Sequence, residues 1–561
     1  MQTKLSNHRN LFNGDCNVFF YNYKANEPGA KGEARFKASA IHRYVNLLAD
    51  SGVDTFLINP NGQNAWYPSK VIPTAWDGYK RGDKKFFYGH ILGQPMTLEQ
   101  SEAYFDGLIR MMNRYLDLVE DGVDWVTESI KASRRRKITP WVSVRMNDIH
   151  GGNSYDGSFM NAPLLAHAKY RTRGILLNPK EKPSQFFTGL NFETREVRDY
   201  MMRMIRELVE DYDFEGLELD WTRWAVCCNP PASQKTIDTI TAWHEEIRAL
   251  TERKAKRIGR PVPLGIRTFA NLDFIRNTGV DVRAMARKGL IDFICPTNSW
   301  QTTWDLPHDQ WKKEFGDKVA IYGVVEDAPN HLAPYAPSKK KRLYMRYLSA
   351  SPALVRGNAA GKLVLGADGI ETFNYFCTDT PEHTKELKVV ADYTALRRVD
   401  DLEFLRGKPK HYAFSTGPAL WSLPMYEWPE QVPMSLEPKC QRALRIPMCA
   451  EPKLKSLTIQ IVVQKPITDN QSPITSNIPG VSFNGSLPNF EGRQTDKLLF
   501  PTGALTHHVP EHVAFDYSFP ASAIREGWND IILVNGNFKR DNAQDRRDNS
   551  VTILSVELGV K

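Results

Sequence analysis

The sequence predicts a (β/α)8 barrel followed by a C-terminal β-sandwich, and three observations lead to that prediction. Short β-rich runs alternate with amphipathic helical stretches as far as about residue 376. The chain has 561 residues, more than one ordinary hydrophobic core accommodates. Beyond residue 400 the helical patterns stop and short alternating strands take over. We therefore expect a barrel domain over residues 1–405 and an accessory sandwich over residues 406–561.

Eight strand-like runs account for the barrel. They are Asn17–Tyr23, Val53–Asn59, Ile138–Asn147, Phe214–Trp221, Val262–Phe269, Ile291–Asn298, Lys318–Glu326 and Gly369–Phe376. Amphipathic stretches lie between them at Ala34–Ser51, Ser101–Ser133, Thr194–Tyr212, Ser233–Ile258, Asp281–Gly289 and Lys339–Gly366. An open dinucleotide-binding sheet would require a glycine-rich turn after the first strand, and residues 22–27 contain no glycine. The pattern therefore favours a closed parallel barrel.

The C-terminal region shows period-two alternation without helices. Its predicted strands are Leu457–Val463, Val513–Phe519, Ile531–Asn535 and Val551–Leu558. Turn signals such as Pro479-Gly480 and Asn535-Gly536 lie between them. This combination is typical of a β-sandwich of jelly-roll type, which we expect to be mainly structural.

Composition and charge limit the classes of partner. Lys and Arg number 73 against 65 Asp and Glu, a net charge of +8 that favours an anionic ligand only weakly. The basic clusters 134–137 and 339–342 fall in predicted helices. We interpret them as solvent-exposed helix faces, so no nucleic-acid partner is expected. No run approaches the ~18 apolar residues of a membrane span, so no membrane partner is expected.

Cofactor motifs and targeting segments give two further expectations. We find no P-loop, G-x-S-x-G, H-E-x-x-H or G-x-G-x-x-G pattern, and we predict neither a cofactor nor a metal. Residues 1–8 lack the apolar segment of a secretory signal. As written, the sequence predicts a cytoplasmic protein, or a periplasmic or secreted one if a signal peptide has been removed. The oligomeric state is left open.

The fourth predicted strand carries acidic residues at its end. Glu218 and Asp220 are two residues apart, so on a strand they point to the same side. A carboxylate in an apolar strand is costly unless it faces the barrel mouth and finds partners there. The alternative is a structural salt bridge to Arg145 or Arg267 on the neighbouring strands.

Three segments resemble the family-10-like bacterial glycosyl hydrolase barrels. Asn191–Tyr200 resembles their N-x-x-x-x-E-V-R-x-Y helix, and Tyr212–Trp224 resembles their D-G-I-H-F-D-Y-x-R strand. Gly366–Phe376 is similar to their last strand. The resemblance covers about residues 15–400. It implies hydrolysis of a glycosidic bond in a polysaccharide or oligosaccharide.

A looser similarity links the fourth strand to the chitinase-type motif D-G-x-D-x-D-W-E. On that alignment Glu215, Glu218 and Asp220 match the aspartates, whereas Thr222 replaces the catalytic glutamate. Two alternatives therefore stay open: a non-catalytic glycan-binding protein on a degenerate barrel, and a transglycosidase.

Glycoside hydrolysis requires two carboxyl groups flanking the scissile bond. Asp220 is the first candidate, and Glu326, at the end of the seventh strand, is the second. Glu218 and Glu371 are held in reserve, and a buried partner for an arginine is the alternative role of Glu371.

Amide, charged and aromatic side chains at the strand ends suit a hydroxyl-rich ligand. The predicted binding residues are Asn59, Asn61, Trp66, Tyr67, Arg145, Asp148, His150, Trp221, Arg267, Asn298, Trp300 and Tyr322. We expect Trp66, Tyr67, His150, Trp221 and Trp300 to converge on one depression. Ordinary core packing is the alternative for each of them taken alone.

Overall fold

Eight parallel strands close into a barrel in chain order, as the sequence predicts. They are β1 Asn10–Gly14, β2 Thr55–Ile58, β3 Thr139–Arg145, β4 Leu217–Asp220, β5 Leu264–Phe269, β6 Phe293–Thr297, β7 Ala320–Glu326 and β8 Gly369–Phe373. Within the barrel, Arg145 of β3 lies in register with Asp220 of β4, and Asp220 with Arg267 of β5. The register thus places an acid between two arginines on three adjacent strands, with Arg145 and Asp220 as the last residues of β3 and β4.

The computed structural model describes most of the chain in separate ranges. These are residues 5–15, 19–20, 35–91, 98–150, 157–173, 189–223, 226–298, 302–326, 350–375, 392–414, 431–464, 478–489, 492–499, 512–535 and 550–561. Contacts divide the chain into two compact units. Unit 1 comprises Met1–Thr297, Glu314–Tyr322 and Glu371–Lys385, and unit 2 comprises Asn298–Lys313, Gly323–Ile370 and Glu386–Lys561.

The helices lie mainly between the barrel strands. They are α1 Ala38–Asp50, α2 Tyr88–Ile91, α3 Leu98–Glu120, α4 Trp125–Arg135, α5 Arg195–Asp211, α6 Gln234–Ile258, α7 Leu272–Asn277, α8 Val282–Arg287, α9 His308–Phe315, α10 Pro352–Val364 and α11 Leu402–Leu405. Local sequence explains their ends: Ser233 caps the first turn of α6 through Thr236 N, and Gly259 ends it at φ +70°. In the described ranges, no helix has both the length and the apolar character required to span a membrane.

The expected first strand, Asn17–Tyr23, is wrong. The strand is β1, Asn10–Gly14, and Phe19 and Phe20 are helical. Their rings pack on aromatic neighbours instead, with Phe19 4.7 Å from Tyr44 and Phe20 5.2 Å from Phe36 between ring centroids. Aromatic residues are frequent in strands because they fit half-buried surfaces, and a buried aromatic cluster satisfies the same preference.

Two antiparallel sheets follow the barrel and confirm the predicted β-sandwich. The strands are β9 Lys410–Ala413, β10 Met434–Leu436, β11 Gln441–Met448, β12 Ser456–Gln464, β13 Gly480–Phe483, β14 Arg493–Thr495, β15 His512–Pro520, β16 Gly527–Val534 and β17 Val551–Val560. One sheet has the order β10-β17-β12-β15-β14 with β9 on β17, and the other has the order β11-β16-β13. Phe483 in β13 and Phe519 in β15 come from different sheets, and their ring centroids lie 5.8 Å apart.

Within unit 2, helix α10 packs backbone to backbone on the sandwich strands. A Cβ atom at Gly357 would lie 2.2 Å from the carbonyl oxygen of His411 in β9. One at Gly361 would lie 2.7 Å from the carbonyl oxygen of Pro447 in β11. Only glycine allows such an approach, so the spacing of these two glycines fixes where α10 meets the sandwich.

Candidate active site

Asp220 is the last residue of β4 and is completely buried. Its Oδ1 atom accepts hydrogen bonds from the amide of Thr222, at 2.8 Å, and from the Thr222 hydroxyl, at 2.6 Å. Its Oδ2 atom lies 3.6 Å from Nη1 of Arg267 and has no hydrogen-bond donor within the described ranges. The ion pair named as the structural alternative for Asp220 is therefore present, while one carboxylate oxygen is left without a hydrogen bond.

Arg267 is held in place from two further directions. Its Nη1 donates to the Thr222 hydroxyl at 2.6 Å, so that hydroxyl bridges the acid and the arginine. The ring of Phe373, at the end of β8, lies 3.4 Å from the guanidinium carbon. The guanidinium thus stacks on an aromatic face while it compensates the charge of Asp220.

Glu218 and Glu371 form a second carboxyl pair, each two residues before the end of its strand. Nδ2 of Asn13 donates to Oε1 of Glu218 at 2.8 Å and to Oε1 of Glu371 at 2.9 Å. The Ser143 hydroxyl donates to Oε1 of Glu218 at 2.7 Å, and Nε of Arg267 lies 3.6 Å from Oε2 of Glu371. Both acids are completely buried.

Burial and like charge oppose ionisation of this pair. Burial, together with the neighbouring charges of Glu371 and Asp220, raises the pKa of Glu218 well above its usual value. Burial also raises the pKa of Glu371, an effect that Arg267, Asn13 and a hydrogen bond from Cys295 offset only in part. At least one of these two carboxyl groups therefore keeps a proton under conditions in which an exposed glutamate is ionised.

The same pair is the place where a cation would find ligands. Ligand atoms of Glu218, Cys295 and Glu371 lie within 4.8 Å of one another. However, the carboxylates already receive donors from Asn13 and face the guanidinium of Arg267. This donor set suits protonated carboxyl groups better than it suits a divalent metal ion, whose charge the arginine would oppose.

Arg145 is the centre of a second charged cluster in unit 1. It contacts Asp15 at 2.5 Å and Asp148 at 2.9 Å, and Arg223 lies 3.9 Å and 3.8 Å from the same two acids. Burial alone would raise the pKa of Asp148, but His150 and the two arginines outweigh it and hold that pKa well below its usual range. Two arginines are matched by two aspartates, so the cluster offers an anionic ligand no excess positive charge.

His150 is the predicted binding residue in this cluster that retains exposure. Its side chain is 29% exposed, whereas those of Arg145, Arg223 and Asp148 are at most 2% exposed. Nδ1 lies 2.6 Å from Oδ1 of Asp148, and Nη2 of Arg223 lies 3.1 Å from Nε2. Since a guanidinium only donates, Nε2 of His150 accepts from Arg223 and Nδ1 donates to Asp148 in this arrangement.

The amide residues after β2 align the backbone of β3. Asn59 donates to the carbonyl of Ser143 at 2.8 Å, and Asn61 donates to the carbonyl of Arg145 at 2.9 Å. The Arg145 amide in turn donates to Oδ1 of Asn61 at 3.1 Å. Both residues are buried, and both orient the strand that carries Arg145.

The predicted aromatic residues do not converge on a depression in the described ranges. Trp66, Tyr67 and Trp221 are completely buried. Trp66 packs on Tyr115, the Tyr67 hydroxyl donates to Glu207 at 2.7 Å, and Trp221 packs on Phe192. These rings pack in the core, which is the alternative placement that the sequence left open for each of them. Trp300 lies outside the described residues.

Three further predicted residues have different placements. Tyr322 is buried near the start of β7, and its hydroxyl donates at 2.7 Å to the carbonyl of His8, which precedes β1. It therefore faces the amino ends of the strands rather than their carboxyl ends. Asn298 directly follows β6 and is buried, and Glu326 ends β7 in unit 2 with 1% exposure.

Several residues of the site were not predicted from the sequence. They are Asn13, Asp15, Ser143, Arg223, Cys295 and Phe373, together with the bridging role of Thr222. Asn13 and Asp15 were missed because the first strand was placed too late in the sequence. Only Leu11 and Phe12 are apolar in Asn10–Gly14, so the sequence of β1 carries little strand signal.

Comparisons with known proteins give a remote likeness to carbohydrate-active enzymes. No family model and no curated protein sequence matches the chain. The glycoside hydrolase domain of PgaB (BpsB) from Bordetella bronchiseptica aligns with a TM-score of 0.37 at 10% identity, over 70% of this chain and 99% of that one. An alpha-L-fucosidase from Vibrio sp. strain EJY3 aligns with a TM-score of 0.36 at 9% identity, over 99% and 98%.

A cycloisomaltooligosaccharide glucanotransferase from Paenibacillus sp. gives a TM-score of 0.31 at 7% identity. The alignment covers 99% of this chain, which spans only 58% of that one.

Proposed function

We propose that this protein hydrolyses a glycosidic bond, with Asp220 and Glu326 as the two carboxyl groups of the reaction. The observation that carries the proposal is the environment of Asp220. One oxygen is fixed by Thr222, and the other faces Arg267 without a hydrogen-bond donor in the described part of the chain. A carboxylate that is oriented through one oxygen and has its charge compensated suits a nucleophile or a general base.

The second carboxyl group is assigned to Glu326 from its place in the barrel. Glu326 ends β7 as Asp220 ends β4, and the carboxyl ends of barrel strands carry the chemistry of this fold. Glu371 is the rival, but it lies two residues before the end of β8, whose last residue is Phe373. Glu218 and Glu371 then act as neighbours that shape the charge of the site.

A polysaccharide panel that includes sulfated and uronic polymers tests the activity itself. Asp220→Asn and Glu326→Gln keep the shape of each side chain but cannot attack the anomeric carbon or exchange a proton. Each is expected to fold normally and to lose about 10²–10⁴-fold in kcat, the usual worth of acid–base catalysis. Initial rates and circular dichroism of both variants check this.

The outcomes separate the rival assignments. If Glu326→Gln keeps full activity while Glu371→Gln is inactive, the second role passes to Glu371. Full turnover by Asp220→Asn contradicts the proposal for β4. A wild-type protein that binds a glycan and releases no product is instead a glycan-binding protein. That alternative is favoured by one observation: Thr222, whose hydroxyl is engaged by Asp220 and Arg267, stands where the chitinase-type motif has its catalytic glutamate.

A further inference from the structure

Unit 2 contains a lysine that is almost completely buried and that the proposed reaction does not use. Lys362 on α10 is 1% exposed, and its amine donates to the carbonyl of Thr303 at 2.7 Å and to Oδ1 of Asn358 at 2.5 Å. Its alkyl chain crosses β7 at Gly323, where a Cβ atom would lie 2.6 Å from Cδ of the lysine. The lysine therefore reaches across the strand that ends at Glu326 to hold residue 303.

The residue before Thr303 holds the end of that strand. The Thr302 hydroxyl accepts a hydrogen bond from the amide of Glu326 at 2.9 Å and donates one to the carbonyl of Glu326 at 3.0 Å. A single hydroxyl thus engages both backbone polar groups of the last residue of β7. Lys362 and Thr302 form two consecutive links, from α10 to residues 302–303 and from there to Glu326.

We infer that Thr302 and Lys362 are positioning residues that fix the backbone of Glu326 for its part in catalysis. The inference rests on the proposed function, because it assigns a purpose to the position of Glu326. The positions of reacting groups matter steeply: a displacement of about 1 Å can cost 10²-fold in rate. The Thr302 hydroxyl supplies such a hold at the end of β7, because it engages both the amide and the carbonyl of Glu326.

The charges around the amine support this role. Burial lowers the pKa of Lys362 to about 7, although the charges of Asp305 and Glu326 act in the opposite direction. Burial raises the pKa of Asp305 itself to about 6, and Gln431 donates to this side chain at 2.5 Å. Burial lowers the pKa of the nearby His308 to about 3, so it stays neutral. Both the protonated and the neutral amine can donate to Thr303, so the link persists through neutral pH.

Two pairs of variants test the inference on the polysaccharide that the wild-type protein turns over fastest. Thr302→Val removes the hydroxyl and keeps the shape, whereas Thr302→Ser keeps the hydroxyl. We expect Thr302→Val to lose about 10²-fold in kcat with KM changed only a few-fold, and Thr302→Ser to retain most of the rate. A loss that followed only from weakened folding would not be restored by the serine.

Lys362→Met is compared with Lys254→Met as its matched control. Lys254 on α6 is 2% exposed, and its amine donates to the carbonyl of Val209, at the end of α5, at 3.0 Å. Both substitutions leave a backbone carbonyl without its lysine donor and should lower Tm. Only Lys362→Met is expected to lower kcat as well, when each variant is assayed at a temperature where circular dichroism shows it folded.

Glu326→Gln distinguishes failure of this inference from failure of the proposed function. If Glu326→Gln is fully active, the assignment of Glu326 is wrong whatever the other variants do. If Glu326→Gln is inactive while Thr302→Val matches Thr302→Ser in kcat, the positioning role is overturned. Equal kcat in Lys362→Met and Lys254→Met removes Lys362 from the role and leaves it a structural lysine.

Discussion

At the scale of single residues, the amide of Asn13 has an unusual task, because it donates to two carboxyl groups that would otherwise repel each other. Glu218 and Glu371 share this donor, and the guanidinium of Arg267 lies beside both Glu371 and Asp220. Three carboxylates around one guanidinium would leave a net negative charge in a buried place, which is costly. A retained proton on the pair lowers that cost.

Replacing the acid that keeps the proton should make the protein more stable at alkaline pH. The folded-state pKa of Glu218 is raised, so its contribution to stability is present in full below the unfolded-state pKa of about 4.3 and is lost as pH rises through the folded-state pKa. Glutamine does not ionise. The free energy of unfolding of Glu218→Gln, relative to the wild type, should therefore increase between pH of about 5 and about 8.

Chemical denaturation at both pH values measures that difference. Glu210→Gln, a substitution at a half-exposed helix position, is the control and should show no such trend. A Glu218→Gln difference that does not change with pH would mean that Glu218 ionises in the folded protein as readily as in the unfolded chain.

At the scale of elements, seven of the eight barrel strands could be predicted, because each is an apolar run between helical patterns. The strand β1 was placed wrongly, because its five residues include two asparagines and the aromatic run that follows has the stronger β propensity. The interior acids of β4 and β8 could be predicted from alternation alone. The partners of these acids could not, because they come from β1, β3 and β5 and depend on how the barrel closes.

Helix α10 shows the same dependence on tertiary packing. Alanine is better than glycine in a helix interior by about 1 kcal/mol, so propensity alone predicts that Gly357→Ala stabilises the protein. We expect the opposite sign, a loss of about 1–3 kcal/mol, because the new Cβ atom would lie 2.2 Å from the carbonyl oxygen of His411. Denaturant unfolding of Gly357→Ala checks the sign, and a stabilised variant would show that the helix can shift away from β9.

At the scale of the whole molecule, the division between residues 1–405 and 406–561 stays a prediction. Residues 415–430, with Trp421 and Trp428, lie outside the described ranges. Prolines and glycines punctuate residues 400–440, so limited proteolysis should cut there first. Because α10 packs on β9 and β11, we expect the fragments to stay together through size-exclusion chromatography and to separate only in denaturant.

The close approach of α10 to the sandwich has a consequence for the modularity of this protein. Accessory domains joined by loose linkers can be exchanged between enzymes, because their interfaces resemble transient ones. Here the interface between α10 and the strands β9 and β11 depends on two glycines, Gly357 and Gly361. Their lack of side chains leaves room for the backbone of these strands. A foreign C-terminal domain would have to present the same two carbonyls at the same spacing. The C-terminal region should therefore be inherited with its barrel as one piece, and chimeras that replace it should fail to fold even when the linker is kept.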